Sequence, residues 1–364
     1  MEPKYNYIVC THCFTFNHAA FIKKTLDGFT MQKTTFPTVF CVVDDASTDG
    51  EQIVIRNYLN ANFKMQNARQ WETDDACFIE ACHKENQNCW FVVVLLKYNF
   101  RQTRKSKIAL LTECPLSSKY VALCEGDDYW IDPNKLQKQV DFLESHPDYS
   151  MCCNRTKLYS DRRQKTIGEN YCYNESRDIN SKDIINRTGL FISTCSILYR
   201  KKVKDNYPDY CRRCAVGDYP LQIMCAMKGK TYYFNEIMSV YRVENSNSWM
   251  GQQKWTSTSD NNLKRIKSMV LMFKGFAEDY PKYKAVFNNK IAQYLNVSCP
   301  SATHNPAANK CYFDAFSDYT DNYSWLWKID FFLRTHADIF SRAYRFIIAP
   351  TLLKKYKQKK LIYK

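Results

Sequence analysis

Along the first 150 residues, short continuous apolar runs alternate with stretches of helical spacing. Tyr7–Phe14 is a mostly apolar run and reads as a strand, while His18–Thr30 sets Phe21, Ile22, Leu26 and Phe29 near helical spacing. Thr38–Val43 (TVFCVV) is a β-rich run that ends in Asp44-Asp45. A helix is expected to open at Thr48-Asp-Gly-Glu51, where Thr48 and Glu51 fit a capping box that satisfies the first orphan amides. Trp90–Lys97 and Tyr120–Cys124 read as further strands, the first continuous enough to be buried on both faces. Asp132-Pro133 suits the cap and first position of a helix that carries Leu136, Val140 and Leu143 on one face, with Pro147 beyond its end. This rhythm predicts an α/β fold with a mostly parallel sheet. Ligands in such sheets gather at the carboxyl ends of the strands, and the acids fall there: Asp44-Asp45 after one strand, Glu125-Gly126-Asp127-Asp128 after another.

Two stretches interrupt the rhythm. Residues 62–89 are polar and read as an inserted excursion, and residues 154–188 read as loop. From Trp255 onward the pattern is helical. The longest apolar run, Trp90–Leu96, has seven residues, against the roughly 20 needed to span a bilayer. The start, MEPKYNYIVCTHC, lacks a basic segment followed by an apolar signal core, so a soluble or membrane-surface protein kept inside the cell is expected.

Composition adds three points. Aromatic residues at 15%, with 9 Gly and 11 Pro in 364 residues, exclude a disordered or linker-like chain. Seventeen Cys without a secretion signal read as reduced thiols. The pairs Cys10/Cys13 and Cys211/Cys214 have C-x-x-C spacing, but Cys10 and Cys13 lie in the first strand, where residues three apart face opposite sides, which argues against zinc. The net charge of +15 is concentrated at the end, because residues 326–364 carry ten Lys/Arg against two Asp. That tail also bears Trp325, Trp327, Phe331, Phe332, Phe340 and Phe346 at near-helical spacing. A basic amphipathic segment of this kind suits an anionic membrane surface. No nucleic-acid recognition motif accompanies the basic residues.

The chemistry lies in the acidic tetrapeptide. Three carboxylates within four residues repel one another unless a cation or donors absorb the charge. Hard divalent ions such as Mn²⁺ or Mg²⁺ take oxygen ligands and bridge to phosphate. Placement at a strand's carboxyl end, beside a second acidic pair, points to a metal–diphosphate site.

Four motifs carry a family resemblance: Phe14-Thr15-Phe16-Asn17-His18 after the first strand, Val42-Val43-Asp44-Asp45-Ala46-Ser47-Thr48-Asp49-Gly50 after the second, Tyr120 through Leu136 with Glu125-Gly126-Asp127-Asp128-Tyr129-Trp130, and Gly217-Asp218-Tyr219-Pro220-Leu221 followed by Lys228-Gly229-Lys230 and Tyr241-Arg242. In this order, over roughly residues 5–250, they resemble the family 2 glycosyltransferases, inverting enzymes of the GT-A fold. The form with Glu-Gly-Asp-Asp-Tyr-Trp is similar to bacterial enzymes that build surface polysaccharides. The resemblance implies a GT-A domain over 1–250 and a helical extension over 251–364. It implies a UDP-sugar donor held by Thr15, Phe16 and Asn17, with Phe16 against the base and Asp44 and Asp45 on uracil and ribose. Glu125 or Asp127 would contact the ribose, Asp127 or Asp128 would hold Mn²⁺ or Mg²⁺, and Trp130 and Arg242 would lie on the acceptor side. A cation of the run Arg101–Lys107, Arg104 above all, would reach the diphosphate. Asp218 would be the base of an inverting transfer, with a helix cap as its competing role.

Relatives carry a His shortly after the Tyr-Arg pair to complete the metal site. Here Tyr241-Arg242-Val243-Glu244-Asn245-Ser246 has none, which leaves Glu244 or water as the third ligand. The expected activity is sugar transfer to a growing bacterial surface glycan or lipid-linked acceptor, on the inner face of the plasma membrane if the tail docks there. The alternative is a catalytically silent relative that binds within a polysaccharide assembly complex. A nucleotidyltransferase would more naturally show a Gly-rich basic N-terminal loop, absent here.

Overall fold

The computed structural model describes residues 6–103, 105, 107–111, 116–186, 191–244, 260–298 and 315–316. Arg104 and the tail at 326–364 lie outside the described residues. By internal contacts the chain divides into two units, Met1–Tyr207 with Asp218–Gln253, and Pro208–Gly217 with Lys254–Lys364.

The first unit is built on a 12-stranded sheet in the order β10-β12-β8-β11-β6-β1-β2-β5-β4-β3, where β11 is Leu198–Arg200, with β7 (Tyr129–Trp130) paired to β12 and β9 to β8. Its centre is parallel. β1 (Tyr7–Thr15) lies between β2 (Thr38–Asp44) and β6 (Ser118–Leu123), and β2 continues to β5 (Cys89–Leu96). These are the four strands expected from continuous apolar runs, and every residue of β2 is buried. Side chains alternate between two core faces, as strand geometry requires. Val9, Phe40, Val42, Phe91 and Val93 fill one face, and Cys10, Val39, Cys41, Val92 and Val94 the other. Cys10 and Cys13 accordingly join different faces.

Helices α1 (Ile22–Thr30), α2 (Glu51–Asn62) and α5 (Lys135–Ser145) follow strands β1, β2 and β7, with single turns α3 (Phe100–Thr103) and α4 (Lys107–Leu110) after β5. The helix expected at Asp132-Pro133 begins two residues later, and Asp132 instead accepts the amide of Asn134 on Oδ1 at 2.8 Å.

Two regions read as non-repetitive are strands. Residues 62–89 contain β3 (Arg69–Glu72) and β4 (Ala76–Cys82), an antiparallel hairpin that extends the sheet beyond β5. As the last strand in the sheet order, β3 has little apolar surface to bury, and its RQWE sequence is mostly exposed. Residues 154–188 continue β8 (Tyr149–Ser160) and add β9 (Lys165–Asn170), β10 (Arg177–Asp178) and helix α6 (Ser181–Asn186). β8 hides its strand character behind buried polar residues that bond across the sheet: Ser150 Oγ donates to the Cys225 carbonyl at 2.7 Å, and Asn154 Nδ2 to Ser239 Oγ at 2.9 Å. Its main partner, β12 (Lys230–Val243), runs parallel to it, and helix α8 (Asp218–Lys228) precedes β12.

The second unit is helical where described. α9 (Asp260–Asp279) and α10 (Lys284–Ser298) pack through Phe276 and Phe287, stacked at 5.5 Å between centroids. The short α7 (Asp209–Arg212) joins them by setting the Tyr210 ring edge-on to Phe276 at 5.1 Å. Among the described residues no helix is long and apolar enough to cross a membrane.

Candidate active site

The carboxyl ends of β1, β2 and β6 bring the first three motifs together. Where β1 ends, Asn17 takes a positive φ of 56°, a conformation Asn tolerates better than most residues. Its amide donates to Ser47 Oγ at 2.8 Å and its Oδ1 accepts the Thr48 amide at 2.8 Å, tying the two loops into one surface. The expected capping box is not formed. Gly50 caps α2 with a φ of 91°, Asp49 Oδ1 accepts the Glu51 amide at 3.1 Å, and the Glu51 carboxylate turns inward. There it accepts the Thr15 hydroxyl, the His18 backbone N–H at 2.8 Å and the Ser47 hydroxyl at 2.8 Å. Burial outweighs these bonds and raises the Glu51 pKa to about 7.

Asp44 and Asp45 play different parts. Asp45 Oδ1 accepts the Phe100 amide at 2.7 Å and its Oδ2 pairs with Lys107 at 2.9 Å, so this carboxylate anchors the segment after β5. Asp44 is fully buried. Its Oδ1 accepts Gln52 Nε2 at 2.6 Å and the Ser47 amide at 3.1 Å, while Oδ2 has no hydrogen-bond partner. Of the pair, Asp44 retains an acceptor oxygen for a ligand. Phe16 is half-buried beside them. In the basic run after β5, Lys105 is committed to Asp75 at 2.8 Å, and Lys107, held by Asp45, is close enough for its charge to be felt at Glu125.

The acidic loop after β6 is tightly placed. Thr25 Oγ1 of α1 donates to the carbonyls of Gly126 at 2.9 Å and Asp128 at 2.7 Å. A Cβ on Gly126 would sit 2.0 Å from Thr15 Oγ1 and 3.2 Å from His18 Nδ1, so only glycine lets the loop approach β1 this closely. Glu125 is open to solvent yet crowded by protein atoms on every side, as on the floor of an open cleft. Desolvation, then the charges of Asp127 and Asp218, raise its pKa to about 8. Asp127 is 8% exposed, with its Oδ2 3.9 Å from His18 Nε2. Asp128 lies deeper, its Oδ1 accepting the Arg242 amide at 2.8 Å and its Oδ2 making no hydrogen bond. Burial and then Asp127 push its pKa well up.

Asp218 opens α8 and accepts Thr194 Oγ1 at 3.5 Å. It lies near enough for its charge to be felt at Glu125, and burial raises its pKa. The helix-start position and proximity to the acidic loop coincide in this one residue.

Three of the residues expected at the site have partners elsewhere in the fold. Trp130 is a core residue, 1% exposed: its Nε1 donates to the Cys195 carbonyl at 2.8 Å and its ring meets Phe29 edge-on at 5.0 Å. A Cβ on Gly28 would lie 2.9 Å from the Trp130 backbone, so helix and loop touch directly. Arg242 is also buried, its guanidinium 4.7 Å from the Phe21 ring, 5.2 Å from Tyr129 and 5.3 Å from Tyr159, and 3.6 Å from Asp161, so it braces the acidic loop from behind. Glu244 accepts from Ser160 and pairs with Arg163 at 3.3 Å and Arg162 at 3.4 Å, which commits its oxygens away from the site.

His18 and Glu51 were not singled out from sequence. His18 stands inside the first motif, but nothing along the chain pairs it with Asp127. Buried at 8% exposure, it has its pKa lowered by desolvation, against the pull of Asp127. Among the described residues no three ligand-type side chains converge closely enough to hold a metal alone. An ion bridging to a diphosphate needs only one or two protein ligands, and carboxylates that repel one another beside an unpartnered imidazole nitrogen fit such an ion.

The architecture is that of the GT-A glycosyltransferases: a mixed α/β fold with a mostly parallel central sheet flanked by helices. Residues 1–349 of S. aureus TarS, solved in complex with UDP-GlcNAc, superimpose with a TM-score of 0.60 at 14% identity, over 97% of this chain and 92% of that one. A second S. aureus TarS structure gives 0.57 at 16% identity, covering 92% of this chain and 53% of that one. No family model matches the chain. Uncharacterised proteins of Mycobacterium tuberculosis and Mycobacterium bovis are 30% identical over 236 residues, 65% of this chain. The match spans 58% of the length of those curated relatives.

Proposed function

We propose that this chain is an inverting, metal-dependent family 2 glycosyltransferase that moves a sugar from a UDP-sugar onto a growing bacterial surface glycan or lipid-linked acceptor. The observation that carries this reading is the convergence, at the carboxyl ends of β1, β2 and β6, of Asp44 with a free oxygen, Asp127 facing His18, and Asp218 within electrostatic reach of Glu125. The TarS likeness supports it by fold, and that protein's complex with UDP-GlcNAc suggests the donor class.

In this reading Phe16 offers its ring to the base and Asp44 Oδ2 accepts the uracil N–H. Asp127 would hold the metal, with Asp128 supporting it from behind. Asp218 accepts the proton of the acceptor hydroxyl as that oxygen attacks the anomeric carbon, and the bond to the diphosphate oxygen breaks on the opposite face. Burial makes the Asp218 carboxylate a stronger base than an ordinary aspartate. Bound Mn²⁺ or Mg²⁺ would offset the charge of the departing diphosphate. The nucleotide leaves without a second acid to protonate it, unlike the paired carboxylates of glycoside hydrolysis.

A thermal-shift screen of UDP-, GDP- and TDP-sugars with and without Mn²⁺ tests the reading. At a UDP concentration about 100 times Kd, binding adds about 2.7 kcal/mol of stability, and EDTA or Asp127→Ala should abolish that gain. Asp127 is the better probe, because Asp128→Ala would also remove the acceptor of the Arg242 amide. UDP binding indifferent to EDTA and to Asp127→Ala would refute the metal–diphosphate assignment.

The basic stretch at 326–364 is proposed to bring the enzyme to anionic membrane, with each Lys or Arg contributing about 1 kcal/mol near the surface. Deleting residues 351–364, which removes six Lys, should reduce sedimentation with anionic vesicles and leave UDP binding intact. Equal sedimentation of both forms would remove the membrane from the account.

A further inference from the structure

We propose that His18 is a metal ligand of this site, presenting Nε2 beside Asp127. This rests on the metal–diphosphate reading above but concerns which atoms of this chain bind the ion.

The positions of the protons fix the ring. The Glu51 carboxylate accepts the Thr15 hydroxyl, the His18 backbone N–H and the Ser47 hydroxyl. With Glu51 ionised, as it is above a pH of about 7, the single Thr15 hydrogen is committed to it, and Thr15 Oγ1 faces His18 Nδ1, 3.1 Å away, as an acceptor. A hydroxyl has one hydrogen and two lone pairs, so Nδ1 must be the donor. With the ring proton on Nδ1, the lone pair of a neutral imidazole lies on Nε2. That atom makes no hydrogen bond and points at Asp127 Oδ2, 3.9 Å away. Two acceptors facing each other repel, and 3.9 Å exceeds hydrogen-bond length. A cation that accepts both lone pairs removes the repulsion.

The rest of the arrangement is what a metal-binding histidine needs. Its second nitrogen donates to a fixed oxygen, Thr15, which a carboxylate, Glu51, holds in turn. Such partners set the tautomer and ring orientation. The imidazole is 8% exposed and cannot swing away. The missing Cβ of Gly126 lets the acidic loop come up against Thr15 and the His18 ring. Imidazole nitrogen suits Mn²⁺ less than oxygen does but is a common partner for it beside carboxylates and phosphate.

Electron spin-echo envelope modulation on the full-length protein with Mn²⁺ and UDP tests the assignment directly. The expected wild-type spectrum carries ¹⁴N modulation from a coordinated imidazole, and His18→Gln removes it. Thr15→Val, which keeps the imidazole but takes away its orienting acceptor, should weaken Mn²⁺ in the UDP complex about 10–100-fold. Melting curves establish that both variants are folded, and the wild-type spectrum stands without either. A Mn²⁺–UDP complex with no ¹⁴N modulation, or with modulation that persists in His18→Gln, overturns the ligand assignment and leaves the glycosyltransferase reading intact. If UDP binds without any dependence on Mn²⁺, the assignment and the metal–diphosphate reading fall together.

Discussion

Asp218→Asn should retain UDP and Mn²⁺ binding while sugar transfer falls about 10²–10⁴-fold, the usual contribution of a general base. The amide keeps the size of the carboxylate and can still meet Thr194 Oγ1, 3.5 Å away, so α8 should start where it does now. What it loses is the ability to take a proton. The raised pKa of Asp218 has a second consequence, because transfer requires the ionised carboxylate. Its rate should fall as the pH drops through that pKa, which burial places above the ordinary aspartate value of about 3.9. The acid limb of kcat/KM should therefore lie above that value in the wild type. Measurement of UDP release with an acceptor, against pH, checks both points. Near-normal transfer by the variant would move the base elsewhere, and loss of folding would make Asp218 a helix cap only.

Trp130→Ala should be among the most destabilising single changes in the first unit, at about 3–5 kcal/mol, the range for deleting a large buried aromatic. The indole is enclosed by Phe29 and Phe40 and donates to the Cys195 carbonyl. It also covers Lys135, which is fully buried with its Nζ 4.3 Å from the ring centroid and 2.7 Å from Gln139 Oε1. Burial lowers the Lys135 pKa to about 8. Removing the ring leaves a cavity beside this amine, which puts the loss at the upper end of the range. The melting temperature should drop by roughly 10–20 °C for a unit of this size. A variant of wild-type stability with a raised KM for acceptor would instead return Trp130 to the acceptor side.

What could be read along the chain depends on where each element buries its surface. The four central strands are apolar on both faces, so β1, β2, β5 and β6 are legible as runs, and the acids at their carboxyl ends follow from the topology. β3 is at the end of the sheet with an exposed face, and β8 fills its interior with Ser, Asn and Thr that bond across to β12 and α8. Neither carries a hydrophobic period, so the first reads as part of a polar excursion and the second, from residue 154, as loop. The site divides in the same way. Asp44, Asp127 and Asp218 belong to contiguous motifs and were legible. Contacts between distant segments were not: Glu51 with Thr15, His18 with Asp127, Asp45 with Lys107. Glu51 shows why, since its spacing from Thr48 fits a capping box equally well, and only the position of β1 turns its carboxylate inward. Trp130 reads as a binding platform because it is an aromatic next to a run of acids, whereas in the fold it is buried in the core beneath them.

The central claim is that the acidic edge of the first unit binds the diphosphate of a nucleotide-sugar through a divalent ion. A crystal of the protein soaked with UDP and Mn²⁺ tests it most directly, because the anomalous signal of manganese locates the ion without reference to the ligand. The account predicts a manganese peak at Asp127, diphosphate density beside it, and the uracil against Phe16 and Asp44. UDP bound elsewhere, or at this edge with no manganese at Asp127, would contradict it.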